Sequence, residues 1–443
     1  MNTTSIWNKT AAIKERAPLR KDMQVDTVII GGGMAGILTA HILGQRGVKC
    51  IVLEAGRIAS GQTGNTTAKV TSQHNLIYDN LMKKHGKAKA RQYAYANQEA
   101  IKRYQILVDK YNIDCEWERC PAYLYTEHSP AKLWREYNAA TSLGLPAAMV
   151  EQTELPFPVE KALCFYNQAR FHPLKFLSVM ADGVQVYEHS KVKYVKNHLV
   201  STGNAIVRAE HIVFACHYPF INVPGYYFLR MHQERNYAMA LAQTAGGNRS
   251  TLEGMYLGID PESYSLRSTG DYLLIGGGNH RTGEHPCVSQ YEYLHKLKEQ
   301  YWPEHQEVAC WSAQDCMTLD SIPYIGRYSG ATRDLYVTAG FNKWGMSGSM
   351  AGAMILTDMI TGVRRSPYAE VFSPQRGMLK PQLAINGVTA VKNLLTPSVK
   401  RCPHMGCALK WNRLERSWDC PCHGSRFEKN GRLIDNPATG GLK

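Results

Sequence analysis

The stretch "VDTVIIGGGMAGILTAHILGQRGVKCIVLEAG" limits what this chain can fold into more than any other part of it. Val25 to Ile30 form a short apolar run of the kind that becomes a buried parallel strand. Gly31, Gly33 and Gly36 follow as G-x-G-x-x-G, and helical spacing then runs from about Met34 to Gln45. In such a unit the first glycine permits the turn. The second lets a pyrophosphate approach the backbone, and the third lets helix and strand pack closely. The helix points its free N–H groups and positive dipole end at that pyrophosphate. A second strand, "KCIVLEA", ends at Glu54, which lies 18 residues after Gly36 and can accept hydrogen bonds from a ribose diol. A carboxylate there suits a dinucleotide with a free 2′-hydroxyl, FAD or NAD, rather than NADP. The expectation is an α/β fold with a Rossmann-like nucleotide-binding domain.

A chain of 443 residues is too long for one core and suits two or three domains. No uncharged apolar run reaches the roughly 18 to 20 residues that cross a bilayer. The start, "MNTTSIWNKTAAIKERAPLRKD", lacks the apolar core of a cleaved signal peptide, so a cytoplasmic location is expected. The net charge is +14, and residues 361–443 hold 14 Lys or Arg against 5 Asp or Glu. This excess is either solvated surface or a positive face that steers an acidic partner. No nucleic-acid-binding motif accompanies it, so no nucleic acid is expected as a partner.

Two further segments extend the nucleotide-binding reading. "IASGQTGNTTAKVTSQ" follows the acid directly, and "LDSIPYIGR" with "LYVTAGFNKWGMSGSMAGAMILTDMITG" lies far down the chain. Together with the glycine-rich start they resemble the D-amino-acid oxidase (glycine oxidase-like) family of FAD-dependent oxidoreductases. The resemblance implies a discontinuous FAD-binding domain over residues 23–75, 160–218 and 310–372. A substrate domain of antiparallel sheet plus helices would fill 76–159 and 219–309. It also implies FAD contacts from Thr66 and Thr67, and from Gly340, Lys343, Gly345 and Met346. N–H groups at that helix start would stabilise negative charge developing at the flavin pyrimidine edge. "AEHIVFACHYP" resembles the family's strand that closes over the cofactor, after a β-excursion at about Val184 to Val207.

Between these segments, residues 76–145 carry helical spacing and are expected to form a helical layer. Residues 226–285 alternate like antiparallel strands, as in "YAMALAQT", "GMYLGI", "YSLRS" and "DYLLIGGG". In the resembled family such a sheet roofs the flavin. Arg267 falls roughly where those oxidases fork an arginine onto a substrate carboxylate, and it is the candidate catalytic residue, although a structural salt bridge suits it slightly better. Tyr264, Tyr272, His280 and Arg281 are secondary candidates.

The C-terminal stretch "RCPHMGCALKWNRLERSWDCPCHGSRF" holds four of the chain's twelve cysteines. Cys402 and His404 form C-x-H, and Cys420 and His423 form C-x-x-H after fifteen intervening residues. Two thiolates and two imidazoles can hold tetrahedral zinc. They can equally hold a [2Fe–2S] centre with the cysteines on one iron and the histidines on the other. Each ligand loop carries one further thiol, Cys407 and Cys422. The string "CPHMGC…SWDCPCHGSRF…NPATGGL" closely resembles disulfide-containing Rieske proteins. That resemblance implies a Rieske [2Fe–2S] cluster on Cys402, His404, Cys420 and His423, with a Cys407–Cys422 disulfide tying the loops together. It also suggests that Ser425 bonds a bridging sulfide, although an ordinary turn serine fits as well. The module is expected over 399–443 after a linker at 373–398. It lacks the strands that usually precede the first ligand loop, so it should lean on the flavoprotein body.

The two resemblances together imply an oxidoreductase that oxidises a small amine or amino-acid-like molecule at FAD. Electrons would pass singly through the cluster to a one-electron carrier protein, acidic and flavodoxin- or ferredoxin-like. The other readings are a reductase running electrons from cluster to flavin, an RNA-modifying flavoenzyme, and a non-enzymatic redox sensor.

Overall fold

The structure is a computed structural model that describes residues 4–243, 251–284, 289–363 and 366–442. A short helix α1 (Ile6–Thr10) precedes the predicted unit of β1 (Met23–Ile30), α2 (Met34–Gln45) and β2 (Cys50–Leu53). β3 (Lys69–Val70), α3 (Tyr78–Tyr111), β4 (Glu118–Thr126), α4 (Pro130–Ser142), β5 (Ala147–Val150) and β6 (Lys161–Arg170) follow. The chain returns through α5 (Pro173–Asp182), β7 (Val186–Tyr187), the hairpin β8 (Tyr194–Lys196) and β9 (Leu199–Ser201), and β10 (Ile206–Phe214).

These pieces meet because each carries an apolar run too continuous for a half-exposed strand. Val28, Ile29, Ile51, Val52, Ile212 and Val213 are fully buried. β1 pairs in parallel with β2 and β10, and β2 with β7. The far end of the chain completes this sheet. β10 pairs in parallel with a strand over Leu335–Ala339, which pairs with an antiparallel edge strand over Tyr324–Arg327. The helix after that strand packs on α2 through small residues and shares one core with it, including Ile37, Leu38, Met350 and Leu356.

The second sheet takes β3 to β6 together with four later strands. After α6 (Tyr227–Arg230) these are β11 (Met231–Ala242), β12 (Met255–Gly258), β13 (Ser265–Thr269) and β14 (Tyr272–Arg281). α7 (Gln290–Tyr301) leads to β15 (Gln306–Thr318), and the strands above complete the first sheet as β16 (Tyr324–Arg327) and β17 (Leu335–Ala339). The main path of the second sheet runs β15-β11-β14-β13-β12-β4-β6-β3. Its members differ in one respect from the helical layer expected over 76–145. β4 sits between the two helices there, paired with β6 and β12, because the alternation of Cys120, Ala122 and Leu124 buries one face. α3 is also broken at Gly86, whose φ is 79°.

The chain ends with α8 (Gly345–Thr361), α9 (Ala369–Phe372) and α10 (Pro381–Leu395). A four-stranded antiparallel meander closes it, made of β18 (Lys410–Asn412), β19 (Ser417–Asp419), β20 (Arg426–Glu428) and β21 (Leu433–Asp435). The meander's core is small, built on Leu409, Phe427, Ala438 and the four cysteines.

Candidate functional site

At the end of β1 the chain makes the turn its glycines allow. Gly31 has φ 115°, and a Cβ there would reach the Ala215 carbonyl oxygen at 2.5 Å. A Cβ on Gly36 would sit 1.9 Å from the Gly31 carbonyl oxygen, so helix and strand touch there. Gly33 opens α2 with no side-chain cap, and a Cβ there meets only Thr63 Oγ1, at 3.1 Å. Glu54 accepts from the N–H groups of Gly32 and Gly56, both at 2.7 Å. Burial pushes its pKa up against the pull of those donors. Thr63 Oγ1 accepts from Met34 N at 3.0 Å, and the close backbone approach at Gly33 with the half-buried Glu54 carboxylate beside it fits the diphosphate and ribose of a dinucleotide.

The loop after Glu54 is tied down from behind. Trp7 Nε1 donates to the Thr66 carbonyl at 2.6 Å, Ser5 Oγ to the Gly64 carbonyl at 2.5 Å, and Trp311 Nε1 to the Asn65 carbonyl at 2.9 Å. The Thr66 hydroxyl accepts from Ala68 N at 2.9 Å, and Thr67 is half-buried beside it. The first 22 residues are polar overall, yet they supply the Trp7 and Ser5 donors of this brace. Trp7 is a lone tryptophan there, and its buried partners are all distant in sequence.

Gly340 lies in the turn before α8 with φ 72°, and a Cβ would come within 2.4 Å of Thr318 Cγ2. Gly345 starts α8 with nothing within 4 Å of a Cβ position, which leaves room at that helix start. Met346 is buried, and its carbonyl accepts from Tyr104 at 3.0 Å. Lys343 departs from the expectation of charge at the flavin edge. Its ammonium pairs with Glu234 at 3.2 Å and Asp315 at 3.6 Å, so its charge is balanced within the protein.

Arg267 is also corrected. It is 1% exposed, donates through Nη1 to the Ala68 carbonyl at 2.6 Å and through Nη2 to the Phe171 carbonyl at 3.4 Å, and lies over the Trp7 ring. It braces the loop that ends at β3 and is not open to a substrate carboxylate. Beside it the half-buried Lys69 donates through its ammonium to the Tyr256 carbonyl and Ser265 Oγ, each at 2.7 Å. Burial, with Arg267 adding repulsion, pushes its pKa down to about 7. Tyr264 stacks on Tyr293, Tyr272 is half-buried in β14, and His280 lies within 3.1 Å of the Tyr237 hydroxyl.

The C-terminal ligand candidates converge. The rings of His404 and His423 stand 5.0 Å apart at 87°, and Cys402 and Cys420 are buried together in the small core of the C-terminal domain. Cys407 and Cys422 form a disulfide. Both His Nδ1 atoms are buried with no hydrogen-bond partner among the described residues. His404 Nε2 faces Asn222 Oδ1 at 2.9 Å. Because that oxygen only accepts, Nε2 carries the hydrogen and Nδ1 keeps its lone pair free for a metal. Burial holds both imidazoles neutral, with pKa values pushed down to about 4 for His404 and about 3 for His423. Two thiols opposite two unpartnered Nδ1 atoms fit the Cys2His2 donor set of a [2Fe–2S] cluster. Ser425 is buried with its hydroxyl toward the Cys402 thiol, and it accepts from Ala438 N at 3.0 Å.

The ligand loops are fastened to the rest of the chain by polar side chains on β11, β14 and β15 that carry no sequence signature. Gln233 Nε2 on β11 donates to the carbonyls of His423 and Asn436, both at 2.8 Å. Gln314 Nε2 on β15 donates to the Gly424 carbonyl at 2.7 Å and to Gln233 Oε1 at 2.8 Å. Arg281, a secondary substrate candidate from its sequence position, instead grips the second ligand loop. Its Nε donates to the Pro421 carbonyl at 2.9 Å and its Nη2 to the Cys422 carbonyl at 3.1 Å. Deeper down, Glu415 lies between Arg235 of β11 and Arg426, with Ser312 of β15 donating to it. Burial opposes its ionisation, but the two guanidinium groups hold its pKa down at about 2. Finally, Asn436 Nδ2 donates to the carbonyls of Cys216 at 2.8 Å and Tyr218 at 3.0 Å. Cys216 is the residue whose Cα a Cβ on Gly31 would meet at 3.0 Å.

Known proteins share both halves of this arrangement. Residues 26–359 match the family model described as FAD dependent oxidoreductase, and residues 389–443 match the Rieske [2Fe-2S] domain. A Bacillus subtilis (strain 168) protein, YhfW, named for a Rieske 2Fe-2S centre, is 33% identical over 99% of this chain and 96% of its own. Gamma-glutamylputrescine oxidoreductase of Escherichia coli (strain K12) is 21% identical over 78% of this chain and 85% of its own. Among solved structures, glycine oxidase from Geobacillus kaustophilus superposes with a TM-score of 0.68 at 18% identity, over 80% of this chain and 99% of that one. With the dinucleotide turn and the Cys2His2 pocket in one molecule, the chain belongs to the FAD dependent oxidoreductase family of D-amino-acid oxidase type and carries a C-terminal Rieske [2Fe–2S] domain.

Proposed function

We propose that this enzyme oxidises a small amine or amino-acid-like substrate at FAD and passes the electrons through its Rieske centre to a one-electron carrier protein in the cytoplasm. When bound, the flavin supplies two-electron chemistry that can be discharged in single-electron steps, and the iron–sulfur centre accepts one electron at a time. On this reading Gly31, Gly33, Gly36 and Glu54 hold the dinucleotide. The loop through Thr66 and Thr67 and the turn from Gly340 to Met346 line its reactive end. Cys402, His404, Cys420 and His423 hold the cluster.

The observation that carries the coupling is the clamp of Gln233, Gln314 and Arg281 on the second ligand loop. A cluster loop pinned by buried amides and a guanidinium is held at one distance from the flavoprotein. Its neighbour Asn436 bonds to Cys216, which packs on the first glycine of the dinucleotide turn. The relatives' names, gamma-glutamylputrescine oxidoreductase and glycine oxidase, point to amines and amino acids as the substrate class. The basic C-terminal part favours an acidic carrier, whose encounter rate should fall as salt rises.

An anaerobic screen of amines and amino acids tests the substrate class. At least one should bleach the flavin absorbance, and a broad panel that leaves it unchanged would contradict the proposal.

A further inference from the structure

The helix that leads into the Rieske domain has its polar and apolar sides reversed. α10 buries Asn386 and Asn393. Asn386 Oδ1 accepts from Arg281 Nη1 at 3.1 Å, and the Asn393 carbonyl accepts from Ala408 N at 2.9 Å. On the outward side Ile385, Val388, Val391, Leu394 and Leu395 are between 44% and 77% exposed. Leu379 before the helix and Val399 after it, at 92% and 103%, extend this surface past both ends. Single exposed aliphatic residues are ordinary, but a run along a 15-residue helix marks an interaction face. A surface helix normally shows the opposite pattern.

The charge along the segment that carries this face is of one sign, although Arg376 is paired with Asp320. From residue 371 to 414 the sequence holds seven Lys or Arg and no Asp or Glu. Lys380 and Lys392 lie at the start of the helix and on its exposed side, and Lys400 and Arg401 follow its end.

We propose that α10 and its flanks dock this enzyme on an anionic membrane surface. The helix lies in the plane of the interface, its aliphatic side among the acyl chains and its lysines at the headgroups. Composition favours lipid over a protein partner. Protein interface cores are enriched in aromatic residues and Arg and depleted in Lys, whereas α10 has no aromatic residue and its only cation is Lys392. Among the described residues no helix is long and apolar enough to cross a membrane, so the attachment is peripheral.

Docking there brings the cluster to the surface. Arg401 Nη1 donates to the Leu394 carbonyl at 3.2 Å and to the Gly406 carbonyl at 2.8 Å, joining the end of the helix to the first ligand loop. Met405, next to ligand candidate His404, is 40% exposed on that loop. A carrier held at the membrane would therefore meet the enzyme close to its iron. The proposal goes beyond the redox reading and stands whatever substrate feeds the flavin.

The test is sedimentation of the full-length holoprotein with vesicles of phosphatidylcholine mixed with phosphatidylglycerol. Wild-type protein should pellet with them. Pure phosphatidylcholine, or high salt, should weaken binding about tenfold or more. The double variant Val388→Asp, Leu395→Asp should lose binding while keeping its melting temperature and its flavin and iron content, since both side chains are exposed. Lys380→Gln, Lys392→Gln should weaken binding without abolishing it. Wild-type protein that ignores the vesicles would overturn the proposal, including the case where it instead forms a dimer or binds only an acidic carrier protein through this face. Vesicle binding that the aspartates leave untouched would overturn it too.

Discussion

Gly33, which has no side chain, and Lys69, which has a half-buried one, show how single residues set the conditions for cofactor and core. A Cβ at Gly33 meets only Thr63 Oγ1, at 3.1 Å, so Gly33→Val should fold, yet it fills the space where a diphosphate approaches the backbone. We expect flavin content below about a tenth of wild type with iron unchanged, measured by absorbance and metal analysis of one sample. Lys69 makes a pH prediction. Its folded pKa is about 7, below the unfolded value of about 10.4, so the folded state binds fewer protons between those values. The cost of burying it is therefore full below pH 7 and is relieved as pH rises toward about 10.4. Melting temperatures of wild type and Lys69→Met should diverge in favour of wild type as pH increases from 7 to 9. A difference that stays flat over that range would mean Lys69 keeps its proton in the fold.

At the scale of elements, the link between β11, β15 and the C-terminal meander is the part most open to disruption. Glu415→Gln leaves Arg235 and Arg426 facing each other, both buried, with less negative charge between them. Removing one partner of such a buried ion pair costs about 3–5 kcal/mol. The domain should loosen, read as faster proteolysis of the segments flanking α10 and faster loss of iron. The sign of the acid dependence follows from the lowered pKa. The pair's contribution is full above the ordinary carboxylate value of about 4.3 and is lost as pH falls through about 2. The wild-type advantage over Glu415→Gln should therefore be constant near neutrality and narrow only in acid.

These elements also divide what could be read in the sequence from what could not. The β1–α2–β2 unit is local, its apolar run, glycines and acid lying within 32 residues of quoted sequence, so spacing alone conveys it. The cluster ligand candidates sit in two short loops and are legible for the same reason. The clamp is not. Gln233 reaches His423 across 190 positions and Gln314 reaches Gly424 across 110, and an amide in a strand carries no sign of what it will touch. Arg267 and Arg281 were visible as cations on strands, but only the packing assigns one to the Ala68 carbonyl and the other to the second ligand loop. β4 escaped notice because two long helices flank it and mask its alternation.

At the scale of the whole molecule, the two cofactor sites belong to one body, and the half-reactions should nonetheless separate genetically. His404→Ala or His423→Ala removes an iron ligand candidate and should cost the cluster. Flavin reduction by substrate should survive, because Gly31 to Glu54 and the α8 turn lie outside the altered loops. Turnover with an artificial two-electron acceptor should persist while reduction of a one-electron carrier stops, as steady-state assays with each acceptor would show. Loss of both activities together would mean that the cluster domain is needed to hold the flavin site in shape.

On the proposed reading, electrons leave the flavin through the cluster. This route is tested most directly by mixing the holoprotein rapidly with substrate under anaerobic conditions and following flavin absorbance and the electron paramagnetic resonance of the iron in the same time course. The signal of the reduced cluster should rise as the flavin is reoxidised, and it should be absent in His423→Ala. A cluster that stays oxidised while the flavin is reduced and reoxidised over many turnovers would contradict this route.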